Sequence, residues 1–157
     1  MDVITGSIST YVFTIVDREA RFLALLRAPG LLHEGTWQAV HGMIDEGEKA
    51  YAAALRETVE ETGLAPARFF KTDYVETFYS EWTDAVHLVP AFAAFVEGAA
   101  PVVLSAEHTA FEWYTSDEIV ERFVWPSQKA AVRVIAAAVA TWPGVHGGMT
   151  EMTARGR

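Results

Sequence analysis

There is no cysteine in these 157 residues. Disulfides and thiolate metal sites are therefore excluded, and a reducing compartment is compatible with the chain. No apolar run approaches the roughly 20 residues that a membrane-spanning helix needs. The N-terminus, MDVITGSIST, lacks a basic segment followed by a long apolar one, so no signal peptide is expected. Positive charge is scarce: 12 Lys and Arg stand against 21 Asp and Glu, a net charge of −9. That balance argues against nonspecific binding to nucleic acid or to an anionic membrane. The expectation is a soluble, cytoplasmic protein with no membrane partner and no stable nucleic-acid complex. If such a protein acts on phosphates, it needs cations to offset the repulsion.

What the chain does contain is enough apolar material for a core. Hydrophobic residues make up 51% of it and its mean hydropathy is +0.14, which argues against disorder. The length favours one domain. That domain is expected over residues 1–142, with an exposed or poorly ordered tail over 143–157.

Residues 7–16 (SISTYVFTIV) are rich in β-branched and aromatic side chains and read as a strand. A polar turn leads to a returning strand at 21–27, then a Pro- and Gly-containing loop to Gly35. A short strand at 37–40 leads into Gly42. Residues 48–62 form the first convincing helix, and 69–79 and 86–96 form two strands joined by SEWTD. The chain breaks at 98–101, with a short strand expected at 112–114. Thr115 or Ser116 caps a helix reaching about Phe123. Pro126 suits the first turn of a last helix over 127–141. No internal repeat or second domain is present.

The stretch GMIDEGEKAYAAALRETVEETGL, from Gly42 to Leu64, is the most informative. At about 100° per residue, Tyr51, Ala52, Leu55, Val59 and Thr62 make one stripe suited to packing on a sheet. Glu57, Glu60 and Glu61 fall on the opposite side, with Ala50 and Ala53 leaving room there for a ligand. Like charges three and four residues apart each cost a few tenths of a kcal/mol, on the order of 0.2–0.5. Arg56 offsets part of that through Glu60. A divalent cation, Mg²⁺ or Mn²⁺, accounts for the rest, because such ions favour carboxylate oxygens. Gly63 followed by Leu64 fits a left-handed helix stop. The bland alternative is a solvated acidic face.

These residues resemble the signature of the Nudix hydrolases, G-x5-E-x7-R-E-U-x-E-E-x-G-U, with U a bulky aliphatic residue. Gly42, Glu48, Arg56, Glu57, Glu60, Glu61, Gly63 and Leu64 match, and only Thr58 departs, at the first U position. Thr is near-isosteric with Val, so a tolerated packing change is expected there. TWQAVHGMIDEGE also resembles the bacterial subgroup like dATP or dihydroneopterin triphosphate pyrophosphohydrolases. The resemblance implies an α/β/α sandwich around a central mixed β-sheet. It also implies Mg²⁺- or Mn²⁺-dependent hydrolysis of a nucleoside diphosphate linked to some group X.

The same resemblance implies roles for single residues. Glu57, Glu60 and Glu61 are the catalytic metal ligands, joined by the Gly42 carbonyl, while Glu48 and Arg56 orient the helix and its carboxylates. A carboxylate outside the signature often serves as base or extra ligand. Glu107, in the loop LSAEH, is the first candidate, against the alternative of an ordinary exposed glutamate; Glu112 is the second. Substrate contacts are expected from Arg27, Trp37, His41, Phe78 and Tyr79, with Trp82 also in view. The expected partner is a small nucleotide, most simply a nucleoside triphosphate cleaved to monophosphate and pyrophosphate. ADP-ribose, a nucleotide sugar or a dinucleoside polyphosphate are alternatives, as is a non-catalytic nucleotide sensor. A homodimer is left open.

Overall fold

The computed structural model describes residues 1–98, 100–142 and 147–152. Its strands are β1 (Asp2–Ile4), β2 (Ser7–Val16), β3 (Glu19–Arg27), β4 (Trp37–Gln38), β5 (Val40–Met43), β6 (Arg68–Ser80), β7 (Ala85–Phe95), β8 (His108–Thr115) and β9 (Met149–Glu151). The helices are α1 (Ala50–Thr62), α2 (Ser116–Arg122) and α3 (Pro126–Ala140).

Among the described residues the strands form one sheet in the order β4-β3-β2-β7-β6-β9. Off this path, β1 pairs with β7, β5 with β2 and β8 with β3. The β2–β7 and β1–β7 pairs are parallel and the others antiparallel, so the sheet is mixed.

Helices cover both faces of β2, which is why Ser7 through Thr14 are all buried. Side chains alternate between the faces along each strand. Ile8 and Val12 of β2 join Val40, Ala53, Ala54, Leu64, Phe92 and Ala94 beneath α1. Tyr11 and Phe13 join Phe22, Phe70, Ala93, Ile119, Val132 and Ile135 beneath α2 and α3. The expected α/β/α sandwich is the observed fold.

α2 opens on a capping box: the Thr115 hydroxyl accepts from the Glu118 N–H, and the Glu118 carboxylate accepts from the Thr115 N–H. The β2–β3 turn is tighter than expected. Asp17 and Arg18 alone make it, both at positive φ, so β3 begins at Glu19 and not at residue 21.

Two three-residue strands escape sequence reading. β1 lies along β7, and β9 lies in the stretch expected to be an exposed tail. Met149 is buried, β9 pairs with Phe70–Thr72 of β6, and Arg68 makes a bidentate pair with Glu151 at 2.8 and 2.6 Å. The tail expectation is corrected there. Its residues 143–146 and 153–157 lie outside the described residues, as does residue 99 in the expected break.

Candidate active site

α1 is joined to the preceding loop by one arginine. Arg56 donates through Nε and Nη2 to the two oxygens of Glu48, at 3.0 and 2.8 Å, a planar fork on a planar carboxylate. Its Nη2 also reaches the Met43 carbonyl at 3.0 Å. Nη1 donates to Glu57 at 2.7 Å and to Glu60 at 3.2 Å. Glu48 in turn accepts the Asp45 N–H, and these hydrogen bonds hold its carboxyl below the usual range. The spacing of eight residues between Glu48 and Arg56 thus closes the 43–48 loop onto the helix.

The helix presents a different face to the sheet than its apolar residues suggest. Ala53, Ala54, Thr58, Glu61 and Thr62 are buried, whereas Val59 is 47% exposed and Leu55 only half-buried. The packing face is therefore rotated by roughly a quarter turn from the Leu55–Val59 stripe. Ala53 is core, so it leaves no ligand space. The Thr58 hydroxyl donates to the Ala54 carbonyl at 2.7 Å and is satisfied inside the helix.

Glu61 consequently sits on the packing face, Glu57 at its margin and Glu60 in solvent. Burial raises the Glu61 carboxyl to about 9, helped by the charges of Glu107 and Glu57. Burial also raises Glu57, against the opposing pull of Arg56. Gly42 matters sterically: a Cβ built on it would overlap the Glu57 side chain.

The C-terminal end of α1 gathers the remaining groups. Gly63 takes φ 68° and its N–H returns to the Val59 carbonyl. The carbonyls left over at the helix end accept from the loop that precedes β8: Val103 N–H to Thr62 O at 2.8 Å, and Ser105 N–H to Glu61 O at 3.3 Å. Ala28 N–H closes on the Glu107 carbonyl at 2.9 Å. These bonds place Glu107 close enough to act electrostatically on both Glu57 and Glu61. Arg27 donates to Glu107 Oε2 at 2.7 Å, so these two candidates come together. His108 is buried beside Glu61. Its position directly after Glu107 was the available signal. Glu112, on the exposed part of β8, pairs in register with Ala24.

The other expected contacts separate. Strand alternation puts Phe78 and Tyr79 on opposite faces, so they cannot stack on one base together. Phe78 stacks on His87 at 4.9 Å with 4° between planes, and the Tyr79 hydroxyl donates to Asp84. Trp82 is 90% exposed between β6 and β7. Trp37 is half-buried and meets Tyr114 edge-on, on the α2–α3 side.

His41 belongs to that side too. Its Nδ1 lies 3.3 Å from Ser9 Oγ, across the β5–β2 ladder. Ser9 also donates to Glu76, a buried carboxylate that accepts the Tyr11 hydroxyl at 2.5 Å. With the single Ser9 proton used there, its oxygen accepts from His41 Nδ1–H, leaving His41 Nε2 as an acceptor. Desolvation of the ring, then Arg27, lowers the His41 pKa, although the residue as a whole is exposed. Nothing in the sequence marked Glu76, because a glutamate inside a strand ordinarily faces solvent.

The donor set suits a hard divalent cation. Glu61 Oε2 is buried without a hydrogen bond, and Glu57 and Glu107 stand near it. No group of three or more acidic or histidine side chains is already closed to ligating geometry among the described residues. Arg56 bridges Glu57 and Glu60 instead. No helix among the described residues is long and apolar enough to cross a membrane.

Comparison with known proteins adds the family. The NUDIX domain family model matches residues 7–135. An octanoyltransferase of Myxococcus xanthus is 36% identical over 73% of this chain, which spans only 32% of that protein's length. The asymmetrical bis(5'-nucleosyl)-tetraphosphatase of Sus scrofa is 28% identical over 75% of this chain and 80% of its own. The E. coli dihydroneopterin triphosphate pyrophosphohydrolase shares the fold, with a TM-score of 0.72 and 20% identity over 86% of this chain and 94% of that one. A matched family model over most of the chain, on a mixed sheet carrying the Gly42–Leu64 signature, establishes that this protein belongs to the Nudix hydrolase family.

Proposed function

We propose that the protein hydrolyses a diphosphate linkage of a nucleoside triphosphate, releasing a monophosphate and pyrophosphate. One observation carries the reading: buried Glu61 has a carboxylate oxygen lacking any hydrogen-bond partner, and the charges of Glu57 and Glu107 both act on that carboxyl. Glu57, Glu60 and Glu61, with the Gly42 carbonyl, would hold Mg²⁺ or Mn²⁺. The bound cation supplies charge neutralisation on the phosphate oxygens and a more acidic water. Glu48 and Arg56 fix the helix against the 43–48 loop and so aim the carboxylates. Glu107 receives the proton of the attacking water, its orientation set by Arg27. His41 Nε2 and Trp37 offer an acceptor and a ring to the nucleoside on the α2–α3 side of the sheet.

A second reading, a dinucleoside polyphosphate, is favoured by the similarity to the Sus scrofa tetraphosphatase over most of both chains. Incubation with Mg²⁺ and a panel of triphosphates, nucleotide sugars, ADP-ribose and dinucleoside tetraphosphate, with products separated by chromatography, decides. Pyrophosphate plus monophosphate from a triphosphate is expected. An inert panel with tight nucleotide binding would instead identify a sensor.

A further inference from the structure

Two buried polar groups face each other in this site without a hydrogen bond. The His108 side chain is 1% exposed and that of Glu61 4%. His108 Nδ1 lies 3.8 Å from Glu61 Oε2, beyond hydrogen-bond range. Neither His108 nitrogen nor Glu61 Oε2 has another partner among the described residues. Buried polar atoms without partners are uncommon, and here three of them lie together.

The surroundings limit what each group can do. His108 begins β8, pairs with Arg27 and donates its N–H to the Ser105 carbonyl, so its backbone is held. Ser105 is itself bound to the Glu61 carbonyl, so the two side chains are tied to one another through the main chain. Only a side-chain adjustment of under an ångström is needed to bring Nδ1 onto Oε2.

We propose that His108 is a positioning residue for Glu61, donating Nδ1–H to one lone pair of Oε2 when a divalent cation is bound and so fixing the plane of the carboxylate. This rests on the metal reading given above. The same carboxylate also accepts the His41 backbone N–H, so with both partners in place its remaining lone pairs have one orientation, and loss of such a partner weakens metal binding by about 10- to 100-fold. A histidine serving only as core filling would leave cation binding unchanged when replaced by an apolar side chain of similar size.

The test is Mn²⁺ binding to the full chain, read by electron paramagnetic resonance, with thermal unfolding in chelator as a check on folding. His108→Leu is expected to weaken Mn²⁺ by at least about 10-fold while melting normally without metal. His108→Asn, whose amide nitrogen falls near Nδ1, should stay close to the parent, and His108→Gln, whose amide falls near Nε2, should resemble His108→Leu. If His108→Leu fails to fold, the Asn and Gln pair carries the comparison. In a Glu61→Gln background, His108→Leu should remove nothing further. Parent-like Mn²⁺ binding by His108→Leu, equal weakening by Asn and Gln, or additive loss with Glu61→Gln each overturns the proposal. Failure of the parent chain to bind Mn²⁺ overturns both it and the metal reading, whereas normal binding without hydrolysis touches the proposed activity alone.

Discussion

Glu61 combines burial with a proposed role that requires charge, and this conflict can be measured without any substrate. Its carboxyl ordinarily titrates at 4.5 and is pushed up to about 9 in the fold. A raised carboxyl pKa means the folded state holds the proton longer, so the stabilisation is complete below 4.5 and is lost as pH rises towards 9. Buried His108 works the other way, because its pKa falls from 6.5 to about 4. Its contribution is lost as pH falls through that range and is constant above 6.5. Between pH 6.5 and 9 the metal-free protein should therefore lose melting temperature with rising pH, and Glu61→Gln should flatten that slope. Melting curves in chelator check this; an unchanged slope in Glu61→Gln would refute the assignment. The resemblance implied a ligand role for Glu61, but nothing in the sequence marked it as buried, because a third glutamate on a helix normally lies in water.

At the level of elements, α1 shows where pattern reading stops. The Gly63 stop of the helix was legible from its glycine, whereas its start, expected at 48, lies at Ala50 because Glu48 belongs to the loop that Arg56 holds. The orientation of the helix was not legible, because the residues with the largest apolar side chains, Leu55 and Val59, lie away from the deepest contact. Ala53 and Ala54 allow close approach to β2 and β5, and that closeness buries Glu61. Thr58 fits the same tight seam, spending its hydroxyl on the Ala54 carbonyl. Thr58→Val should therefore change stability by no more than about 1 kcal/mol and leave catalysis intact. Denaturant unfolding beside steady-state rates would test it. The loop carrying Glu107 could be named from sequence, but its attachment to the end of α1 depends on backbone bonds that carry no side-chain signature.

For the molecule as a whole, β2, β3, β6, β7 and the three helices were readable from strong local patterns, whereas β8, expected only at 112–114, runs from His108 to Thr115 and the sandwich itself came from the family resemblance. β1 and β9 carry none: three residues gain strand geometry only from a neighbour already in place. β9 nevertheless covers part of the outer margin of β6 and buries Met149. Ending the chain at Trp142 should cost about 2 kcal/mol for that side chain. The corresponding fall in melting temperature is roughly 4–8 °C for a chain of this size.

The family similarity ends at residue 135, inside α3, and the periodic signal in the sequence fades by residue 142. Boundaries drawn from either would discard β9 and uncover the main-chain N–H and C=O groups of β6 at residues 70–72. An unpaired strand margin is a template on which another chain can add itself. β9 thus covers a margin that could otherwise recruit another chain, and light scattering of the shortened chain should reveal more self-association than the full chain shows.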